Sequence, residues 1–328
     1  MPLPISRARA AAFCACAVAL FSFSLVSVAE AGSTTVPGNL RVVAPGGKML
    51  TQQTQYTTTT RIRTSRQANC FGQGTGGSGD KVRLGGPTAL GIIDDATRTD
   101  ADLKPLSISD AFDFGIALCG IGGYEATQQG YWYLKVNHAA SQFGGDQTRV
   151  HRGDDILWYL IKNFNDPTPS ELELRAPARV APGQPFTARV LEYADDGTKS
   201  PAEGAKVTGA IAPADADGRV TVAGAGLLEL EATKAGAIPS NEEVVCARER
   251  ARLCPDGYER TVAGTSRADR ILGGRAAETI LAGGGRDRIN VRRGGQRDRV
   301  KCGGGRDRLV IARGDQVDSL SCERIIRR

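Results

Sequence analysis

Histidine, methionine and aromatic side chains are scarce in this sequence. It contains 2 His and 2 Met among 328 residues, and aromatic residues make up 5%. The two histidines, His138 and His151, and the absence of any Cys-x-x-Cys pair leave no ligand set for a zinc cluster. The motifs Gly-x-Ser-x-Gly and His-Glu-x-x-His are also missing, which argues against the common hydrolase classes. The sequence therefore favours a protein that is not an enzyme.

Basic residues are concentrated at the carboxy end. Residues 247–328 contain 20 Lys or Arg and 11 Asp or Glu, a net charge of +9, whereas residues 32–246 sum to −4. Such a segment can contact nucleic acid or an anionic cell envelope. Single-stranded nucleic acid needs aromatic stacking platforms, and this segment offers Tyr258 alone. We therefore expect no nucleic-acid partner and predict a solvated basic face.

The amino terminus has the pattern of a secretory signal peptide. Arg7 and Arg9 precede an apolar stretch that ends in Ala29-Glu30-Ala31, the small-x-small pattern of a cleavage site. An uncleaved membrane anchor is the alternative, since about 18 apolar residues can span a bilayer. The cleavage site favours a signal peptide over residues 1–31, an extracellular protein and no membrane span after cleavage.

Cysteine use agrees with export. Six cysteines follow the signal peptide, and an even number in an exported chain indicates disulfides. Six cysteines allow 15 pairings, but pairing within separately folding modules selects one of them. We predict the bonds Cys70–Cys119, Cys246–Cys254 and Cys302–Cys322.

The 41 glycines and few aromatic residues indicate a mainly β, multidomain protein with many tight turns. The predicted modules are a small α+β domain over 32–166, an Ig-like β-sandwich over 170–247 and a short parallel β-roll over 255–328. In the sandwich, a hairpin at Ala214–Val220 resembles those of bacterial Ig-like domains.

Two aromatic stretches and a short helix characterise the first module. Residues 131–137 read Tyr-Trp-Tyr-Leu-Lys-Val-Asn, residues 153–159 read Gly-Asp-Asp-Ile-Leu-Trp-Tyr, and the pattern over 87–96 predicts the helix. The stretches resemble the carboxy-terminal domain of transcobalamin and intrinsic factor, which covers one face of cobalamin. The resemblance implies ligand contacts from Tyr131, Trp132, Tyr133 and Asn137. Alternatively, Trp132 and the other strand aromatics pack in a core.

The third module contains a repeat of an acidic residue, any residue and an apolar residue. The acids are Asp269, Glu278, Asp287, Asp298, Asp307 and Asp318, at spacings of 9, 9, 11, 9 and 11. Taken two at a time the spacings are 18, 20, 20 and 20, as a coil with two repeats per turn requires. We therefore predict two inward ladders, Ile271–Ile289–Leu309 and Ile280–Val300–Leu320.

This repeat resembles the glycine-rich nonapeptide of RTX (hemolysin-type) β-rolls, which implies that the six acids bind calcium. Here arginines flank three of the acids as Arg-Asp-Arg, at 286–288, 297–299 and 306–308. Stacked acids need neutralisation, and the flanking guanidinium groups are an alternative to calcium. Calcium is thus one option, and a self-neutralised roll is the other.

Together these patterns predict a secreted, non-enzymatic binding or adhesion-type protein of the bacterial cell exterior. Its partner would be an extracellular ligand or a cell-envelope component, recognised by the first module. One alternative is an extracellular carrier of a cobalamin-like small ligand. Another is a calcium-binding hemolysin-type repeat protein.

Overall fold

The computed structural model describes residues 35–72, 74–292 and 297–328. The predicted signal peptide lies outside the described residues. The fold is mainly β, as the sequence predicts, with 44% strand arranged in several sheets. We refer to residues 35–166 as the N-terminal segment, 170–247 as the middle segment and 255–328 as the C-terminal coil.

The N-terminal segment is built around a mixed sheet. Its strands and helix are β1 (Val36–Val43), β2 (Met49–Thr57), β3 (Arg61–Arg63), β4 (Lys81–Arg83), α1 (Ala89–Ala96), β5 (Leu106–Phe112), β6 (Gly115–Ile121), β7 (Tyr124–Glu125), β8 (Tyr131–Val136), β9 (Ala139–Ala140) and β10 (Asp155–Ile161). Strand β1 is parallel to β10 and antiparallel to β2, and β8 pairs with β10 on its other edge. The two aromatic stretches of the sequence are thus neighbouring antiparallel strands.

Helix α1 covers one face of this sheet and confirms the predicted helix. It begins after Thr88, whose hydroxyl accepts a hydrogen bond from the Gly91 amide at 3.1 Å and so caps the amino end. Successive side chains of a strand point to opposite faces. Leu40 and Val42 of β1 pack with the helix in the core. Asn39 and Arg41, which alternate with them, therefore face the opposite side of the sheet.

The middle segment contains two main sheets that share one apolar core. Its strands are β11 (Ser170–Arg175), β12 (Arg179–Val180), β13 (Phe186–Tyr193), β14 (Lys199–Pro201), β15 (Lys206–Val207), β16 (Arg219–Val222), β17 (Gly226–Leu230), β18 (Ala232–Thr233), β19 (Ala237–Ile238) and β20 (Glu243–Ala247). One sheet has the order β14-β13-β11-β19 with β16 on β13, and the other has β12-β20-β17. Alternating residues such as Leu172, Leu174 and Val190 form the core, as binary patterning of strands requires.

In the C-terminal coil, most strands belong to two parallel sheets, and the short strands β24 and β27 form a third parallel pair. A single 3₁₀ turn, Ala251–Leu253, precedes the strands β21 (Arg260–Ala263), β22 (Arg270–Leu272), β23 (Glu278–Leu281), β24 (Gly284–Gly285), β25 (Arg288–Asn290), β26 (Arg299–Lys301), β27 (Gly304–Gly305), β28 (Arg308–Ile311), β29 (Gln316–Val317) and β30 (Arg324–Arg327). The order β21-β23-β26-β29 continues the N-terminal sheet, because β21 pairs in parallel with β2. The order β22-β25-β28-β30 forms the opposite sheet.

The strand register confirms most of the predicted apolar ladders. Ile271 pairs with Ile289 and Ile289 with Leu309, while Ile280 pairs with Val300 on the other side. All five are buried.

The last predicted member of the second ladder is wrong. Val317, not Leu320, pairs with Val300, and Leu320 is 97% exposed. The reason is a tight turn, in which the Asp315 carboxylate accepts a hydrogen bond from the Ala312 amide at 2.7 Å. That turn shortens the last step of the coil from 20 to 17 residues.

Glycines allow the turns of the coil to stack backbone on backbone. Gly303 and Gly305 have φ angles of +88° and +141°. A Cβ atom on Gly305 would lie 1.4 Å from the Gly285 carbonyl oxygen, and one on Gly303 would lie 1.8 Å from that of Gly283. Any side chain at these two positions therefore separates the turns.

All three predicted disulfides are confirmed: Cys70–Cys119, Cys246–Cys254 and Cys302–Cys322. The last joins successive turns of the coil, with Cα atoms 5.1 Å apart. Across the described residues, no helix is long and apolar enough to cross a membrane.

Removal of the coil disulfide should lower stability measurably. We expect Cys302→Ser/Cys322→Ser to lose about 3 kcal/mol of unfolding free energy, because the bond restricts a 20-residue loop of the unfolded chain. Urea unfolding of the variant and the parent under oxidising conditions measures the difference. An unchanged midpoint would show that this bond does not hold the last turn.

Candidate functional site

The residues that the transcobalamin resemblance singles out are already engaged in the fold. Trp132 is 5% exposed, lies in the core, and donates its indole N–H to the Tyr124 carbonyl at 3.2 Å. Asn137 and His138 form the turn between β8 and β9, both with positive φ. The Asn137 side chain bridges Asp154 and the Asp155 amide, at 3.0 Å each.

Tyr131, Tyr133 and Lys135 occupy the opposite face of β8 from the core. The Tyr133 hydroxyl donates to the Asp195 carboxylate of the middle segment at 2.6 Å, and burial followed by this contact raises the pKa of the phenol. Lys135 is fully buried, with its Nζ 3.6 Å from the same carboxylate. Tyr131 is half-buried and packs edge-on against Tyr133, with ring centroids 6.1 Å apart. Tyr133 and Lys135 therefore fasten the N-terminal segment to the middle one.

Both histidines have acidic partners. His138 Nδ1 lies 3.0 Å from a Glu171 carboxylate oxygen, and its ring stacks on Tyr193 at 3.8 Å. His151 Nδ1 lies 3.3 Å from Asp154. The partner of His138 comes from a strand 33 residues away, so local sequence carries no sign of it.

A cleft of about 570 Å³ opens where the N-terminal segment, the middle segment and the start of the coil meet. This volume is in the range of small-molecule sites. Its polar lining includes Asn39, Gln52, Thr54, Asp155, Glu173, Asn241, Glu242, Glu243, Tyr258 and Glu259. The sequence did not indicate that these residues share a site, because they come from three separate parts of the chain.

The floor of the cleft is a row of polar side chains across three strands. Strand pairing places Asn39 beside both Asp155 and Thr54. The Asn39 amide donates to the Asp155 carboxylate at 2.8 Å, and the Thr54 hydroxyl donates to the Asn39 carbonyl oxygen at 3.0 Å. These groups are held in fixed orientations while Asn39 and Asp155 stay exposed.

Beneath the cleft, Arg41 and Glu171 form a buried ion pair with side chains 10% and 4% exposed. Arg41 also donates to the carbonyls of Leu172 and Pro239, at 3.3 Å each. The pKa of Glu171 is lowered, because the His138 hydrogen bond and the Arg41 charge outweigh its desolvation. Its Oε2 atom is buried and has no hydrogen-bond partner among the residues that the structure describes.

The wall of the cleft carries two coupled carboxyl groups. Burial, followed by the nearby charge of Glu259, raises the pKa of Glu243 to about 7. Burial also raises the pKa of Glu259. The Asn241 amide donates to Glu243 at 2.7 Å and orients it. At neutral pH this wall can both donate and accept hydrogen bonds.

The acids of the coil form a second cluster, directed inward. Asp269, Glu278, Asp287, Asp298 and Asp307 are at most 3% exposed. The carboxylate of each turn accepts a hydrogen bond from the backbone amide of the acid one turn earlier. The amides of Asp269 and Asp287 donate to Asp287 and Asp307 at 2.8 Å, and the Glu278 amide donates to Asp298 at 2.9 Å.

The prediction that Asp318 is the sixth acid of the row is wrong. The tight turn at Asp315 shortens the last step of the coil and so displaces Asp318 as well as Leu320. Asp315 takes the place predicted for Asp318: its Oδ1 accepts from the Asp298 amide at 3.2 Å, and Asp318 is exposed. Glu323 continues the other row by accepting from the Asp307 amide at 2.7 Å. The triplets Asp315-Gln316-Val317 and Glu323-Arg324-Ile325 do carry the acid-x-apolar pattern, so a sequence signal for both was present.

Neutralisation of the acids by the flanking arginines is contradicted. Among the described residues, the ion pair made by these coil acids is Arg260–Glu278, and no flanking arginine pairs with Asp287, Asp298 or Asp307. Neighbouring residues of a strand face opposite sides, so the acids point in and the arginines point out. Instead, burial raises the pKa of Asp287 and of Asp298 to about 7, so these carboxyl groups are mostly protonated below neutral pH.

The described acids do not fit calcium. Calcium takes 6–8 oxygen ligands. No group of three or more His, Cys, Asp or Glu suited to a metal occurs in the part of the chain that the structure describes. The second carboxylate oxygens of Asp269, Asp287, Asp298 and Asp307 are buried and have no hydrogen-bond partner among the described residues.

Comparisons with protein-family models, with curated proteins and with solved structures find nothing that matches this chain.

Proposed function

We propose that this protein is a secreted, non-enzymatic binding protein of the cell exterior, and that its ligand is a polar, glycan-like molecule held in the cleft between the three segments. The observation that supports this most is the oriented polar row Asp155–Asn39–Thr54 on the floor of a 570 Å³ cleft. Fixed hydrogen-bonding groups lose little entropy when a ligand binds. Three disulfides are compatible with an oxidising, extracellular location.

The chemistry of the lining favours hydroxyl-bearing ligands. The floor presents amide, hydroxyl and carboxylate groups side by side, so each ligand hydroxyl finds a donor and an acceptor. Glu243, with a pKa of about 7, adds a group that serves in either role. The apolar part of the cleft comes from side chains such as Met49 and Leu157.

The two alternative functions find less support in the geometry. A cobalamin-like carrier requires Tyr131, Trp132, Tyr133 and Asn137 to contact a ligand, whereas Trp132 is in the core and Tyr133 contacts Asp195. A calcium-binding repeat protein requires oxygen clusters, whereas the buried coil acids Asp269, Glu278, Asp287, Asp298 and Asp307 each accept a hydrogen bond from a backbone amide and face the coil interior.

A glycan array tests the proposal. Labelled residues 33–328 should bind a defined subset of printed glycans, and Asn39→Ala should weaken that binding about tenfold, because about 1.4 kcal/mol of oriented hydrogen bonding is lost. Gln67→Ala, at an exposed position outside the cleft lining, is the matched control and should bind like the parent. No binding to any glycan, or equal loss in both variants, would contradict the proposal.

A further inference from the structure

The outer face of the coil carries a row of stacked arginines. The strand register pairs Arg270 with Arg288, Arg288 with Arg308, and Arg308 with Arg324. All four side chains are exposed. Neighbouring strands lie about 4.8 Å apart, so the row places one guanidinium group at each strand spacing.

This row lacks compensating acids on its own face. None of the four arginines forms an ion pair within the described residues. The acids that alternate with them, Asp269, Asp287 and Asp307, are buried inside the coil. The exposed exception is Glu323 at the last turn, whose pKa is lowered by the Asp307 amide and, more weakly, by the charge of Arg306.

Like charges directly opposite on a sheet are destabilising, so the row costs stability in the free protein. Arg286 and Arg306 add to it, because each precedes a buried acid and is itself exposed. They follow Gly285 and Gly305, which pair in parallel, and so they also lie one turn apart. The coil therefore maintains a narrow, regularly spaced line of positive charge.

We propose that this arginine row, Arg270–Arg288–Arg308–Arg324, is a second binding site, for a linear anionic polysaccharide. It is separate from the cleft and does not rest on the function proposed for it. Arginine binds carboxylate groups through two parallel hydrogen bonds. A polymer with a carboxylate on each sugar presents a line of charges that can follow the row.

The shape of the row favours a single polymer chain over the other polyanions. A membrane presents a plane of charge, whereas this row is a narrow line, widened only by Arg286 and Arg306 beside it. The outward residues beside it are Leu272, Asn290, Val310 and Ile326. Leu272 is 53% exposed and the other three are half-buried, so one apolar side chain protrudes rather than the continuous apolar face that insertion into lipid requires. Single-stranded nucleic acid needs aromatic platforms, and Tyr258 of the coil is engaged with the Ala178 carbonyl at 3.2 Å.

The test is binding of polygalacturonate to residues 33–328, with neutral dextran as the uncharged polymer. We expect the parent to bind polygalacturonate and not dextran, with affinity falling as salt rises. Arg288→Gln/Arg308→Gln should reduce the affinity at least tenfold. The matched control is Arg61→Gln/Arg83→Gln, which removes the same charge from another exposed cross-strand arginine pair and should bind like the parent.

Three results would overturn the proposal. The first is no binding of polygalacturonate by the parent. The second is an equal loss in both double variants, which would show a response to net charge rather than to the row. The third is tighter, row-dependent binding of phosphatidylglycerol vesicles or double-stranded DNA, which would assign the row to lipid or to nucleic acid. Asn39→Ala should leave polygalacturonate binding unchanged, so the cleft and the row are tested separately.

Discussion

Leu309→Ala should lower the unfolding free energy by about 2–5 kcal/mol, because it removes a fully buried side chain and leaves a cavity between two turns of the coil. Leu309 lies between Ile289 and Ile325 in the apolar ladder. Urea unfolding followed by circular dichroism measures the loss.

Leu320→Ala is the matched control, since it makes the same substitution 11 residues further along the chain. Leu320 is 97% exposed, so its truncation should change the unfolding free energy by less than about 0.5 kcal/mol. If Leu320→Ala were the more destabilising variant, Leu320 would be buried one 20-residue step after Val300. The tight turn at Asp315 would then not form.

Asp287→Asn should make the protein more stable than the parent at pH 8 and have little effect near pH 4. The pKa of Asp287 is about 7 in the folded protein and has a reference value of 3.8. As the pH rises from about 4 to 7, the unfolded chain loses this proton before the folded one does, so folding stability falls across that window. Asparagine resembles the protonated acid and removes the loss, which is on the order of 2–4 kcal/mol.

The comparison of the two pH values separates charge from packing. Urea unfolding of Asp287→Asn and the parent at both pH values gives the difference directly. Asp318→Asn, at an exposed acid of the same coil, should leave the profile of the parent unchanged. An equal offset of Asp287→Asn from the parent at pH 4 and pH 8 would show that Asp287 is ionised inside the coil.

Features with a local or periodic origin were predictable from the sequence. The short helix follows from apolar spacing, and the pairing of the six cysteines from their positions along the chain. The ladder Ile271–Ile289–Leu309 follows from a repeat length that a two-sided coil must keep constant. In each case, a pattern along the sequence is sufficient for the prediction.

The remaining features depend on contacts that are distant in sequence or on which face a residue occupies. The Glu171 partner of His138 and the cleft come from strands brought together by the fold. The prediction that the flanking arginines neutralise the acids was wrong, because residues that are adjacent along a strand were assumed to contact each other. Adjacent residues such as Asp287 and Arg288 point to opposite sides, so one is buried and the other exposed.

The inner and outer faces of the coil differ in polarity and charge. Buried acids, apolar ladders and a disulfide form the inside of the coil, while the arginines of the row Arg270–Arg288–Arg308–Arg324 are exposed on the outside. The parallel pairing of β21 with β2 attaches the coil to the N-terminal sheet. Gln55 strengthens this junction, because its side-chain amide donates to the Gly264 carbonyl at 3.1 Å.

The most direct test of the account is the thermal unfolding of residues 33–328 at pH 6, in EDTA and then in millimolar calcium. The acids Asp269, Asp287, Asp298 and Asp307 are buried inside the coil and have raised pKa values, so we expect the coil to fold without a metal. We therefore expect the same β signal in circular dichroism and the same Tm under both conditions. A coil that is disordered in EDTA, or a Tm that rises on adding calcium, would contradict it.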